Sequence, residues 1–174
     1  MESHHHDRPY KFCPVCSRPL EARLLKATEP TRLVCTDEGC GYVLYLDPKV
    51  AVGTIIRGRS GGLLLLKRAI EPGLGKWVFP GGYVDRGEEV VRAAVREARE
   101  AAGLEVRIDR LINVYSYEGR SPVIIVYSAT MIGGELAIDD ESSEIREFSI
   151  DEIPWDELAF RSTREALKDY LGGP

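Results

Sequence analysis

Two groups of residues in this chain have the types and spacing to do chemistry. The first is a set of carboxylates behind a pair of glycines. Glu97 and Glu100 stand at i, i+3, so on a helix both side chains leave the same side. Gly81-Gly82 lies upstream and allows close backbone approach and unusual dihedrals. Such a loop folded against an acidic helix offers carbonyl and carboxylate oxygens to one hard cation. Oxygen ligands in modest number suit Mg²⁺ or Mn²⁺. Glu88 stands at the helix start, where the dipole favours negative charge. A purely structural reading stands beside this one: helices rich in Arg and Glu are commonly solvated faces, and Gly-Gly is commonly a turn.

The second group is Cys13, Cys16, Cys35 and Cys40, spaced C-x2-C, eighteen residues, then C-x4-C. Two close pairs joined by a hairpin-length segment bring four thiolates to one tetrahedral zinc. Pro14 and Ser17-Arg18-Pro19 supply turn chemistry to the first pair, and Gly39 and Gly41 to the second. A segment of about forty residues buries little apolar area and needs a staple. A pair of disulfides is the alternative, and it suits an oxidising compartment. A four-thiolate site is closed, so its role is to stabilise. His4, His5 and His6 could also chelate metal, but they lie beside the start and read as part of a flexible tail over residues 1–10.

These residues must be positioned by regular elements. Asp47-Pro48 marks the junction between the cysteine segment and a core. Val50–Ile56 and Leu63–Ala69 read as two strands of a hairpin around a Gly-rich turn, and Trp77–Phe79 as a short strand leading into the glycines. Val90, Val91, Ala94, Val95, Ala98, Ala101 and Ala102 form the apolar face of a helix, which Gly103 ends as a C-cap would. Glu105–Tyr117 and Pro122–Ile132 read as a second hairpin, Gly133-Gly134 as a turn, and Arg146–Ile150 as a strand. Ser162-Thr163-Arg164-Glu165 is a capping-box pattern for a last helix ending at Gly172. Hairpins with interspersed helices predict an α+β fold, a mixed sheet covered by helices.

Of the 174 residues 44% are hydrophobic and 29% charged, a globular balance. Residues 1–50 hold seven basic and seven acidic residues, so the whole net charge of −5 sits in the remainder. An acidic body repels a nucleic-acid backbone, and it repels any phosphate unless a cation intervenes. The longest apolar runs, Leu63–Leu66 and Val123–Tyr127, are far short of a membrane helix. No apolar stretch follows the amino terminus, so a cytoplasmic protein is expected.

The order of residues sharpens the first group. From Gly82 to Leu104 the sequence GYVDRGEEVVRAAVREAREAAGL resembles the Nudix box, G-x5-E-x7-R-E-U-x-E-E-x-G-U, where U is apolar. Gly82, Glu88, Arg96, Glu97, Glu100, Gly103 and Leu104 match, and Ala98 is a small version of the apolar position. The cysteine segment, Asp47-Pro48-Lys49-Val50, Trp77–Gly82 and Leu158–Thr163 are similar to Nudix proteins with an amino-terminal zinc ribbon. The resemblance implies a ribbon over residues 11–46, then a Nudix α/β/α sandwich over residues 47–174. It implies divalent-metal-dependent hydrolysis of a nucleoside diphosphate linked to another group. Glu97 and Glu100 would be metal ligands, either able to act as base, with a carbonyl of Gly81 or Gly82. Arg96 would orient Glu88 as a supporting residue. One departure stands out: Ala101 occupies the position of the second Glu of the family's pair, commonly a metal ligand. A downstream carboxylate, Glu141 or Glu144, is a candidate replacement. A nucleotide-sugar sensor with a weakened metal site is the alternative function. The S-Q-P-W-P-F-P run of NADH-cleaving relatives is absent at Leu111–Tyr117, so the pattern is closer to members acting on ADP-ribose, ADP-sugars or flavin dinucleotide. Tyr115, Tyr117 and Arg120 could contact a nucleotide, but such strand and hairpin residues are ordinary structure, and Trp77 and Phe79 read as core. A homodimer is implied only by similarity to the family.

Overall fold

The structure, a computed structural model, describes residues 10–172, so His4, His5 and His6 lie outside the described residues. Its contacts separate Met1–Asp47 from Pro48–Pro174. In the first unit β1 (Leu20–Arg23), β2 (Arg32–Cys35) and β3 (Val43–Leu44) form an antiparallel sheet in that order. Among the described residues only Cys13, Val34 and Cys35 are buried apolar residues there, too few to hold a sheet by burial alone.

The second unit is built on a seven-stranded mixed sheet. Its strands are β4 (Val50–Arg57), β5 (Leu63–Arg68), β6 (Trp77–Val78), β7 (Gly81–Tyr83), β8 (Leu104–Tyr115), β9 (Val123–Gly134) and β10 (Ser142–Phe148). The order is β10-β5-β4-β9-β8, with β6 paired to β5 and β7 to β4. β4 and β9 run parallel, and the other pairs are antiparallel. Alternation along the strands feeds two cores. Ile55, Leu63, Leu65 and Val126 pack with Ala166 and Leu167 of α2 (Arg161–Gly172). Ile56, Leu64, Leu66 and Ala129 pack with Ala98, Ala101 and Ala102 of α1 (Val90–Ala102). Strands buried on both faces read as near-continuous apolar runs, as Leu63–Leu66 of β5 does, with Thr54 the one polar residue before Arg57 in β4. The result is the α/β/α sandwich. Among the described residues no helix is long and apolar enough to cross a membrane.

Several local expectations give way to tertiary pairing. β4 and β5 meet at a single rung, Arg57 opposite Leu63, rather than along a full hairpin. They splay because β6 pairs with Leu66 and Lys67, while β7 pairs with Ala51, Val52 and Gly53. Gly81-Gly82 is therefore strand, not turn. Gly133-Gly134 is the end of β9, opposite Leu104 and Glu105. The last strand starts earlier than Arg146, at Ser142, because a bulge between Ser142 and Glu144 breaks its alternation. α2 begins at Arg161, so Ser162 lies inside the first turn. Glu165 accepts hydrogen bonds from Tyr117 Oη (2.7 Å) and Arg161 Nε (2.7 Å), so the capping box does not form. Gly103 does cap α1, at φ 71°, its N–H reaching Ala98 and Arg99 carbonyls.

α2 is tied to β8 by Asp169, which accepts from Tyr115 Oη at 2.6 Å and Asn113 Nδ2 at 3.0 Å. These donors hold Asp169 below the usual aspartate range. Burial and the Asp169 carboxylate push Tyr115 upward. The signs follow. A depressed carboxyl stabilises above its ordinary pKa and loses this as pH falls through the folded value. A raised phenol stabilises below its ordinary pKa and loses this as pH rises through the folded value. Tyr115→Phe is therefore expected to cost about 1–2 kcal/mol near neutrality. It should also flatten the acid and alkaline flanks of the stability profile, as denaturant melts across pH will check.

Candidate active site

α1 buries Ala93, Ala94, Ala98, Ala101 and Ala102, small side chains that let the helix lie close on the sheet. That approach sets Glu97 beside β7. A Cβ added to Gly82 would overlap the Glu97 carboxylate, and one added to Gly81 would overlap the Val52 carbonyl. Neither glycine has a positive φ. Close approach is thus what both positions require, and the expected unusual dihedrals are not there. The two obstacles differ in kind. Gly81→Ala strikes fixed backbone and is expected to lower stability by about 1–3 kcal/mol. Gly82→Ala strikes a movable side chain and should leave the melting temperature nearly unchanged. By displacing Glu97 it is expected to lower kcat about 100-fold. Thermal melts and turnover on the two variants separate these outcomes.

Arg96 organises the acidic residues. It grips Glu88 with two bonds, Nε to Oε1 and Nη2 to Oε2, both 2.9 Å. Its Nη1 donates to Glu97 Oε1 and to Glu100 Oε2, both at 2.8 Å, and Nη2 also reaches the Tyr83 carbonyl at 3.0 Å. Glu88 precedes the helix, whose N-cap is Glu89, so the guanidinium and not the dipole holds it. Arg96 and the Asp85 N–H bring Glu88 down to about 2. Glu97 moves the other way: burial pushes its carboxyl above the usual range despite Arg96. The Glu97 side chain is 14% exposed and that of Glu100 57%. The Arg96–Glu100 link is legible in i, i+4 spacing. The Tyr83 carbonyl carries no signal in residue type.

The other expected site residues fall elsewhere. Ala101 is 7% exposed and packs in the α1-side core. Glu144 pairs with Lys67 at 3.8 Å. Lys67 alternates with Leu66, whose side chain joins the α1-side core, so this ion pair points to the opposite face from Glu97. The Glu141 backbone pairs with Ala69, and nothing brings its carboxylate to Glu97. Trp77 and Phe79 are buried in the α2-side core. Tyr115 and Tyr117 are held by Asp169 and Glu165, and Arg120 sits in the turn between β8 and β9.

The four cysteine sulfurs lie within 4.8 Å of one another, Cys13 to Cys40 at 3.8 Å and Cys16 to Cys35 at 3.4 Å. A disulfide needs about 2.05 Å. Zn–S bonds of about 2.3 Å in a tetrahedron put sulfurs about 3.8 Å apart, so the donor set fits zinc. Burial opposes ionisation of Cys13, but the Cys16 and Val15 N–H groups outweigh it and bring that thiol to about 7. Burial pushes Cys35 up to about 12.

Residues 47–170 match the family model described as NUDIX domain, and residues 11–46 match the one described as Nudix N-terminal. An ADP-ribose pyrophosphatase from Methanocaldococcus jannaschii is 40% identical over 134 residues, which span 75% of this chain and 77% of that protein. The NAD-capped RNA hydrolase NudC of Pseudomonas aeruginosa is 26% identical over 148 residues, spanning 84% of this chain but 50% of that protein. The crystal structure of a NUDIX hydrolase from Nitrosomonas europaea superimposes with a TM-score of 0.86 at 36% identity, over 94% of this chain and 91% of that one. With a domain match over most of its length and the box's spacing intact around Arg96, this chain belongs to the Nudix hydrolases, the pyrophosphohydrolase family.

Proposed function

We propose that this chain hydrolyses the diphosphate of ADP-ribose or a related ADP-sugar or flavin dinucleotide, using Mg²⁺ or Mn²⁺. The observation that carries the reading is the Glu97 carboxylate pressed against Gly82 with Glu100 one turn further on, an all-oxygen donor set suited to a hard cation. The similarity to an ADP-ribose pyrophosphatase supports the substrate class. Glu97 and Glu100 would hold the cation together with a carbonyl of Gly81 or Gly82. When bound, such a cation neutralises phosphate oxygens and lowers the pKa of a coordinated water. A Glu97 or Glu100 carboxylate takes a proton from the attacking water. The water oxygen bonds to phosphorus, the bridging P–O bond breaks, and two monophosphates leave. Arg96, fixed by Glu88, keeps both glutamates aimed and offsets only part of their charge, leaving net negative charge for a cation. The ribbon cysteines would carry zinc as a structural ion.

The test is release of AMP and ribose 5-phosphate from ADP-ribose, against a panel containing flavin dinucleotide and NADH. Ala101 favours one other reading, a nucleotide-sugar sensor, since the site has lost a carboxylate to the core. That reading wins where ADP-ribose raises the melting temperature and nothing is cleaved. Ala101→Glu places a carboxylate one turn beyond Glu97. It is expected to tighten Mn²⁺ binding, read by calorimetry, at about 1–3 kcal/mol of apo stability for burying the new group.

A further inference from the structure

We propose that a recess on the α2 face of the sheet, away from the glutamates, binds a phosphomonoester dianion. The recess, of about 490 Å³, lies between the end of β4, β8, β9 and the last turn of α2. That volume suits a phosphoryl group with an attached small moiety. Arg57 and Arg110 line it, and neither guanidinium pairs with a carboxylate among the described residues. Ser128 also lines it, is 6% exposed, and its hydroxyl has no hydrogen-bond partner among the described residues. The hydroxyl opens onto the recess, and an oxyanion seated between the two guanidiniums would accept a hydrogen bond from it.

The chemistry selects phosphate over carboxylate. Two planar forks and a hydroxyl offer more donors than one carboxylate can accept, whereas a phosphoryl group presents three anionic or partly anionic oxygens. Two negative features border the recess. Asp109 lines it; its Oδ2 accepts from Thr130 Oγ1 at 2.8 Å and its Oδ1 from Arg107 at 3.5 Å, so a third guanidinium faces this carboxylate. The C-terminal end of α2 brings a partial negative charge of about half a unit, smaller than two guanidiniums. Ile150 and Tyr170 form an apolar wall for the organic part of the ligand.

The recess is distinct from the proposed hydrolytic site. Arg57 alternates with Ile55, and Ser128 with Val126, both in the core beneath α2, whereas Glu97 stands on α1 across the sheet. Titration calorimetry of the whole chain with inorganic phosphate, at constant ionic strength and without added divalent cation, tests the proposal. Saturable binding of one phosphate per chain is expected, with AMP binding at the same place and acetate not competing. Arg57→Gln/Arg110→Gln should weaken binding at least about tenfold while leaving basal hydrolysis unchanged. Glu97→Gln should leave phosphate binding intact. Should the double variant fold poorly, Arg110→Gln alone, an exposed change on the edge strand β8, gives the same reading. Absence of saturable binding, full affinity in the arginine variants, equal competition by acetate, or loss of binding in Glu97→Gln would overturn the proposal.

Discussion

Glu97→Gln is expected to lower kcat by about 10²–10⁴ while the protein stays folded. The side chain is 14% exposed and lies between the Gly82 backbone and Arg96. Glutamine keeps its shape and can still accept from Arg96, so packing survives. The variant loses the negative charge that would hold a cation and the lone pair basic enough to take a proton. Removing a partly buried charge also offsets the weakened ion pair, so the change in melting temperature should be small. Glu100→Gln is the useful comparison. Its carboxylate is 57% exposed and shares the same Arg96 Nη1. If Glu100 only helps hold the cation, raising Mn²⁺ should restore its turnover, while Glu97→Gln stays slow at any concentration. Unchanged kcat in Glu97→Gln, measured as monophosphate release at saturating Mg²⁺, would remove Glu97 from the chemistry.

How much of this site the amino-acid order reveals depends on the range of the interaction. Contacts within one helix are legible: Arg96 to Glu100 follows from i, i+4 spacing, the alanine stripe follows from periodicity, and Gly103 as a left-handed cap follows from its lack of a Cβ. Contacts across the sheet are not. Gly81-Gly82 looks like a turn because glycine permits one, yet β4 recruits it as a strand, and its small size serves the approach of Glu97. The Ser162–Glu165 pattern promises a local cap, but Tyr117 and Arg161 capture Glu165. Glu144 sits in an acidic run that looks available to a cation, and β10's register sends it to Lys67. In each case a local propensity was overridden by a partner distant in sequence, which composition and spacing do not encode.

Removing zinc is expected to unfold the ribbon. β1, β2 and β3 bury only a few apolar side chains, so the four-thiolate cluster must supply most of the free energy that orders them. Zinc bound to four thiolates contributes on the order of 10 kcal/mol near neutral pH, more than so small a sheet can replace. The thiols must ionise to bind. Cys35, which burial raises to about 12, would give up its proton only where a bound cation stabilised the thiolate. Proton release on binding makes affinity fall as pH falls, so the ribbon should lose metal in mild acid. Elemental analysis should find one zinc per chain, and Cys35→Ser should abolish it. Hydrogen exchange should show protection over residues 11–46 lost in Cys35→Ser and after chelation, and regained on adding zinc to chelated wild-type protein. Protection that persists in Cys35→Ser would mean the segment is held by contacts other than the metal cluster.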